Sequence, residues 1–542
     1  MQLDRRSLLQ AGMFGLGAFS VPGCGAARLL TAKGFTHDVA SGEPRQRSVM
    51  LWTRFVPASG DSARVGWEVS RTSDFAKVVA HGDAVASGEH DYTVKPVVQG
   101  LQPGRWYYYR FRAGGGQMSP IGRTRTLPEG PVDNFRFALF SCSNIGFGFF
   151  NAYAHAAARE DLHLAVHVGD YFYEYERGKY PDLGQAVRAD QIDPPTEIVH
   201  LADYRLRYAA YRTDPDLRAL HRRLPMIAMW DDHESANDSW QGGAQNHQPE
   251  TEGPWSARKA AAVRAYREWM PVNGQTWEDY DVGELATIFR PETRLTGRSH
   301  QLDLFTDMKG KPDAAAELVR FRDQNWSDPK RTMMGAEQER WLADRFKRST
   351  ARRAKWQVLA QEVVMGTMAT PPEAAGWLKP DANAGAREAN QLRLAASRGG
   401  LPWNFDSWDG YPAARRRLLQ SALEANSSLL VLSGDSHNAW AFDLDVDGSP
   451  AGVEFGGQSV TSPGYESSIS NVPPTDLARA VIARNPQLKW ANTSQRGYVT
   501  VELTPTQANG EWLFLDTVKQ RSTAMAGRHR MSTRIGTNKF TV

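Results

Sequence analysis

Five apolar, strand-like runs recur along the chain, and most of them stop abruptly at polar residues. They are FRFALFSCSN (135–144), LHLAVHVGDYFYEY (162–175), PMIAMWDDHE (225–234), WQVLAQEVV (356–364) and SLLVLSGDSHNAW (428–440). Helical stretches lie between them, among them WSARKAAAVRAYREWM (255–270) and GAEQERWLADRFKRS (335–349). Strand, polar loop, helix and strand in alternation predict an α/β (α+β) core. Ligands in such sheets gather outside the carboxyl ends of the strands. Four of the five runs carry candidate metal ligands at that end.

The chain before Gly130-Pro131 reads differently. SVMLWTRF, ARVGWEVS, YTVKPVV and RWYYYRFRA alternate apolar and polar residues, and turns such as Ala58-Ser59-Gly60 and Gln102-Pro103-Gly104 space them. Several short strands of this kind predict a small N-terminal β-sandwich, immunoglobulin- or fibronectin-like, over 34–128. The catalytic part is expected over 132–520. The loops 176–200 and 241–254 read as functional loops or lids. The end, 521–542, is basic with few apolar residues and reads as a mobile tail.

A chain of 542 residues is too long for one ordinary core, which agrees with this division. The balance of 64 basic against 61 acidic side chains gives a net charge of +3. That excludes an electrostatic case for nucleic acid or for an anionic membrane surface, and no nucleic-acid-binding surface is evident. The protein is expected to be a monomer.

The first 30 residues form an export signal. Arg5 and Arg6 precede Ser7, Leu8, Leu9 and a weakly apolar, glycine-rich run. The pair resembles the twin-arginine (Tat) type, whose export machinery carries folded proteins, so the expected location is the periplasm or the exterior. The run is too short to span a membrane stably. Val21-Pro22-Gly23-Cys24 resembles a weak lipobox, which makes Cys24 a candidate lipid anchor. The other cysteine is Cys142, so removal or lipidation of Cys24 leaves no partner for an internal disulfide.

At the strand ends stand Cys142; Asp170 and Tyr173; Asp231, Asp232, His233 and Asn237; Asp435 and His437. A two-metal site needs hard anionic oxygens, softer N or S donors, and a carboxylate able to bridge. Gly169 and Gly434 allow sharp turns that aim the following aspartates inward. Each signal alone has a plainer reading. Gly-Asp is usually a turn, a buried Cys or Tyr is usually core, and Asp-Asp-His-Glu can cap a helix. Found together on several strands of one sheet, they point to a site. His155, His163 and His221 read as ordinary histidines.

SCSN, HVGDYFYEY, WDDHESAND, GAEQERWL and GDSHNAW, in that order, resemble the PhoD family of alkaline phosphatases and phosphodiesterases. HDVASGEP…VMLWTRF and LQPGRWYYYRF resemble its N-terminal domain. The resemblance runs from about residue 34 to about 500. It implies a four-layer metallophosphoesterase-type core and a site holding iron(III) (Fe3+) and calcium (Ca2+), although the same ligands suit other divalent metals. By the resemblance, Cys142 and Tyr173 bind the ferric ion as thiolate and phenolate, and Asp170 bridges to calcium. Asp231, Asp232, Asn237, Asp435 and His437 complete the set. Spacing leaves open Asp231 against Asp232 and Asn237 against Asp238. A ferric ion favours such anionic donors and lowers their pKa. The sequence departs from the family at His37–Glu43, usually Gly-Val-Ala-Ser-Gly-Asp. It departs again at Glu292-Thr293-Arg294-Leu295-Thr296-Gly297-Arg298, where an extra residue leaves a positioning role for Arg298 open.

The expected reaction is hydrolysis of a phosphate mono- or diester, with diesters preferred, by in-line attack of a metal-bound water, oxide or hydroxide. Asp170, Asp435 and His437 carry it, with His437 donating a hydrogen bond or proton near the leaving oxygen. Two rivals remain at this point. One is a serine hydrolase using Ser436 and His437 of Gly434-Asp435-Ser436, although sequence neighbours seldom reach nucleophile–base geometry. The other is a non-catalytic envelope-binding lipoprotein.

Overall fold

Runs that are apolar at successive positions, rather than at alternate ones, fit strands covered on both faces. The computed structural model, which describes residues 31–541, folds them that way. The export signal expected at 1–30, with Arg5, Arg6 and Cys24, lies outside the described residues. Phe135–Phe140, Leu164–Val168 and Met226–Met229 pair in parallel, with Phe137 opposite Leu164 and Ala165 opposite Met226. They form the middle of an eleven-stranded sheet. A seven-stranded sheet contains a second parallel group, Ala286–Arg290, Trp356–Ala360, Leu429–Ser433 and Ser449–Gly456.

Hydrophobic clusters show what covers each face. Phe137, Val166, Ile227 and Val499 of the first sheet meet Ile288, Val358, Leu430 and Val453 of the second in one cluster. The first sheet's other face packs Ala138, Ala165 and Ala228 against Tyr153, Tyr208, Leu220 and Trp269. These come from the helices Asn151–Ala157, Leu201–Tyr211, Pro215–Arg223 and Trp255–Trp269. The second sheet's other face packs Leu359 and Val431 against Phe346, Leu419 and Val481. Those lie on Ala336–Ala351, Pro412–Glu424 and Pro474–Arg484. Each fully buried Val, Leu, Ile or Phe among them contributes roughly 1.5–3 kcal/mol.

The N-terminal strands do not stand apart. Gly34–Gly42 pairs antiparallel with Val49–Val56 and meets Met226–Met229 in parallel at Gly42, so these strands extend the first sheet. A separate five-stranded sheet faces them. Val65, Val69, Tyr109 and Phe111 of that sheet share a core with Val39, Leu51 and Phe55. Glu43 ties this region to the second sheet by accepting bonds from Tyr280 (2.7 Å) and Arg290 (3.1 Å).

The segment read as a tail is instead structured, which corrects the mobile reading. Met525–Arg534 is a strand of the first sheet, paired with Gln507–Leu515, and Phe540–Thr541 pairs with it in turn. Its charges suit an outer strand with a wet face. Arg530 pairs with Glu511 at 2.7 Å, and His529 stacks on Trp490 at 4.0 Å. The segment 176–200 carries little regular structure but is pinned by Ile198 N–H to the Glu174 carbonyl (3.1 Å) and by Val187 N–H to the Gly146 carbonyl (2.9 Å). Among the described residues, no helix is long and apolar enough to cross a membrane.

Candidate metal centre

The carboxyl ends of both parallel groups meet in one place. Two glycines make the approach possible. Gly169 has φ +95°, and a Cβ there would lie 2.3 Å from the Asp231 Cβ. A Cβ on Gly434 would lie 2.5 Å from the Ser141 Cβ, so the loops of the two sheets touch here. Cys142, Asp170, Asp435 and His437 all hold positive φ, between +53° and +62°. Non-glycine residues rarely adopt this region, and they persist there only where the surroundings enforce it. One enforcer is Glu234. Its buried carboxylate accepts the backbone N–H of Asp170 (3.1 Å), Tyr171 (2.5 Å) and Asp231 (2.7 Å), fastening two strand ends together.

At one end of the site, single donor atoms of Cys142, Asp170 and His437 all lie within 4.8 Å of one another. The Tyr173 hydroxyl donates to Asp170 Oδ2 (3.1 Å), lies 3.0 Å from His437 Nε2, and accepts the Ser462 hydroxyl (2.8 Å). The turn after the strand therefore does bring the residue three past Asp170 back beside it. His437 Nδ1 lies 2.8 Å from the Pro463 carbonyl. A carbonyl only accepts, so Nδ1 carries the proton and Nε2 presents a lone pair to the cluster. Burial holds this imidazole neutral by pushing its pKa down to about 3.

At the other end, carboxylate oxygens of Asp231, Asp232 and Asp435 lie within 4.8 Å of one another. Asp170, Asp232 and His233 form a third group on the same criterion, linking the two ends. The fully buried Arg294 reaches into the acids. Its Nε bonds Asp231 Oδ1 (2.5 Å), its Nη1 bonds Asp406 Oδ1 (2.9 Å), and its Nη2 lies 3.6 Å from Asp435 and 3.8 Å from Asp232. Asp232 Oδ2 accepts the Asp238 N–H (2.6 Å). His233 is held by Glu174 (2.7 Å) and packs against the Tyr173 ring, centroids 4.2 Å apart.

Electrostatics states what this arrangement wants. Burial, then the neighbouring Asp170 charge, push the Cys142 thiol and the Tyr173 phenol well up. Burial, then Asp231 and Asp406, do the same to Asp435. Asp231 rises to about 6 through burial, despite Arg294. Asp232 alone of this group falls, to about 2, because His233 and Arg294 outweigh its burial. Asp170 Oδ1, Asp231 Oδ2 and Asp232 Oδ1 are buried without a hydrogen-bond partner. Buried anionic donors that repel one another and leave oxygens unpaired fit a bound cation, which would satisfy both demands. The residues present therefore fit a pair of metal ions.

Of the sequence-derived set, Cys142, Asp170, Tyr173, Asp231, Asp232, Asp435 and His437 converge. Asn237 sits at the rim, its carboxamide on Gln245 (3.0 Å) and its N–H on Glu174 (2.7 Å). Arg298 stands one step back, bonded to Asp406 Oδ1 (2.5 Å) and to the Thr293 carbonyl (3.2 Å). The Ser436 hydroxyl accepts the Trp440 indole N–H (2.7 Å). His155, His163 and His221 bond elsewhere: to Tyr498, the Arg136 N–H and Tyr171. Sequence reasoning missed Arg294, Asp406, Glu234, Glu174 and Ser462. Glu234 had a signal, standing three residues after Asp231. Asp406 had none, since it comes from a distant loop.

The family model described as PhoD-like phosphatase matches residues 137–512, and that for the PhoD-like phosphatase N-terminal domain matches 23–128. Alkaline phosphatase D of Bacillus subtilis (strain 168) is 33% identical over 545 residues, covering 95% of this chain and 82% of that protein. A solved structure described as "Structure of PhoD" is similar with a TM-score of 0.77 at 31% identity, covering 94% of this chain and 92% of that one.

Proposed function

The chain belongs to the PhoD-like phosphatase family and is a phosphoric ester hydrolase; from this premise we propose that it is an exported, metal-dependent phosphoesterase acting on mono- or diesters, with diesters preferred. One observation carries the metal dependence: thiol, phenol, imidazole and four carboxylates share one buried site in which three carboxylate oxygens lack partners. Cys142, Tyr173, Asp170 and His437 would hold the metal that prefers soft and phenolate donors, for which iron(III) is the fit. Asp231, Asp232 and Asp435 would hold a hard ion such as calcium. Metals bound there would supply neutralisation of phosphoryl charge and an activated water.

The chain's own groups prepare the site. Asp170 belongs to the Cys142–His437 group and to the group that links it to Asp232, so it would be the carboxylate placed to bridge. Arg294 compensates the crowded acids and aims Asp231. Ser462 fixes the Tyr173 oxygen from the other side. With Nδ1 held by Pro463, His437 would serve as a ligand through Nε2, a role its neutral form suits better than proton donation. Asp435 keeps 19% of its side chain exposed, so the entrance lies on that side. Ser436 is held by Trp440 and makes no hydrogen bond to His437 among the described residues, which weighs against the serine-hydrolase reading.

The proposal extends to export by the twin-arginine route, with Arg5 and Arg6 as signal, to an anchor at Cys24, and to a monomeric periplasmic or secreted enzyme. It also takes the two sheets with helices outside them as a four-layer core, and the N-terminal sheets as an immunoglobulin-like sandwich. The three clusters between the layers and the core at Val65 and Leu51 support this. The test is elemental analysis of protein purified after export, with hydrolysis measured for wild type and Asp170→Asn. About one iron per chain with calcium, and loss of hydrolysis in the variant, are expected. Folded Asp170→Asn with near wild-type turnover would refute the metal-centred reading.

A further inference from the structure

Beside the aspartate end lies a cavity of about 590 Å³. Two of its lining residues are tied to the donor cluster: Asp238 directly, through its N–H to Asp232, and Asp406 indirectly, through the Arg294 it shares with Asp231. The rest of the wall includes Phe305, Trp403, Phe405 and Arg393. This wall is built by chain that contributes no metal donor. The helices Leu304–Met308 and Ala384–Arg398 share a small core of their own, with Leu304, Phe321, Ala396 and Phe405 in it.

The aromatic side chains are fixed from behind. Trp403 stacks on Tyr465, centroids 5.1 Å apart and planes 8° from parallel. Phe405 meets Phe321 edge-on at 5.5 Å. The Arg393 guanidinium lies 5.3 Å from the Phe305 ring centroid and, among the described residues, makes no ion pair with a carboxylate. Phe305 nevertheless stays 38% exposed, the kind of large apolar surface that marks a binding groove. Phosphoryl chemistry needs none of this: a phosphate group is held by charge. An aromatic-walled space whose lining includes Asp238 and Asp406, next to the charged cluster, suits whatever organic group the phosphate carries.

We propose that this cavity is the subsite for the ester's organic substituent, and that it selects a bulky substituent with a flat apolar face, aryl or heterocyclic, with Phe305 as its platform. The proposal deepens the phosphoesterase reading and rests on it. The test uses the metal-loaded, full-length enzyme hydrolysing p-nitrophenyl phosphate, with inorganic phosphate, methylphosphonate and phenylphosphonate as competitive inhibitors. Phenylphosphonate is expected to inhibit about tenfold more tightly than methylphosphonate. Phe305→Ala, at a partly exposed position, should bring the two within about twofold while leaving inhibition by inorganic phosphate unchanged; Phe305→Tyr should keep the preference. Equal inhibition by the two phosphonates in the wild type, or an undiminished preference in Phe305→Ala, would overturn the subsite and leave the phosphoesterase reading standing. An enzyme that hydrolyses no phosphate ester would overturn both.

Discussion

Glu234 belongs to none of the donor groups, yet its removal should disable the site. Its carboxylate is the common acceptor of three backbone N–H groups, on Asp170, Tyr171 and Asp231. Glu234→Ala leaves all three buried and unpaired, at about 1–3 kcal/mol each. Relief from burying a carboxylate and entry of water offset part of this, so the net loss should be about 3–5 kcal/mol. The kinetic effect should be larger in kind, because Asp170 and Asp231 lose their shared reference point, and a displacement of about 1 Å at a reacting centre can lower the rate by about a hundredfold. Glu234→Gln keeps one acceptor oxygen and sets an amide N–H₂ against a backbone N–H, so it should fall between wild type and Glu234→Ala. The assay is turnover of p-nitrophenyl phosphate with metals supplied, alongside metal content and the thermal unfolding midpoint. Glu234→Ala with turnover within about threefold of wild type and unchanged metal content would refute the reasoning.

Other outcomes follow from the same contacts. Arg294→Met should leave Asp231, Asp232, Asp406 and Asp435 without their buried cation, destabilising metal-free protein by about 3–5 kcal/mol; chemical denaturation with and without added metals should show the loss shrinking when metals are present. Gly169→Ala places a Cβ against Asp231 and adds strain at φ +95°, so hydrolysis should fall at least a hundredfold with the far-ultraviolet dichroism retained. His167 is buried beside Tyr153 and burial depresses its pKa to about 3, so the folded state keeps it neutral while the unfolded chain takes a proton below about pH 6.5. Its share of stability is present above pH 6.5 and is lost as pH falls towards 3, about 2 kcal/mol by pH 5. His167→Phe should therefore lose less stability than wild type between pH 7.5 and 5, read from urea midpoints; an equal loss would contradict the assignment.

How much of this could be read in advance depended on whether a residue's position follows from its own strand. Cys142, Asp170, Asp231 and Asp435 each follow a buried apolar run, so the rule that ligands gather at the carboxyl ends of parallel strands placed them. Tyr173 and His437 lie close enough in sequence to those strand ends to be carried along. Arg294 and Arg298 come from a loop whose register the extra residue obscured, and only folding shows that Arg294 is the inward one. Asp406 and Ser462 arrive from segments with no periodic signal. The end of the chain was misread because Met525–Arg534 is an outer strand, and a strand with one wet face carries arginines where a buried one carries valines. The N-terminal strands were legible as strands, but not their membership in the larger sheet, which depends on the pairing of Gly42 with Met226.

The first sheet joins strands that lie far apart in the sequence, and this sets an order in time. The strand Phe135–Phe140, which leads into Cys142, has Leu164–Val168 on one side and Gly497–Leu503 on the other. During synthesis the first neighbour follows closely, and the second comes only after every strand of the seven-stranded sheet. Until then the strand's second edge stands open, even after Asp435, His437 and Ser462 have been made. The donors come from strand ends spread between Cys142 and His437, so the site cannot be complete until Asp435 and His437 have joined it, and metal capture must follow that. A premature stop before Gly497 would yield an unpaired edge prone to self-association, not a smaller enzyme.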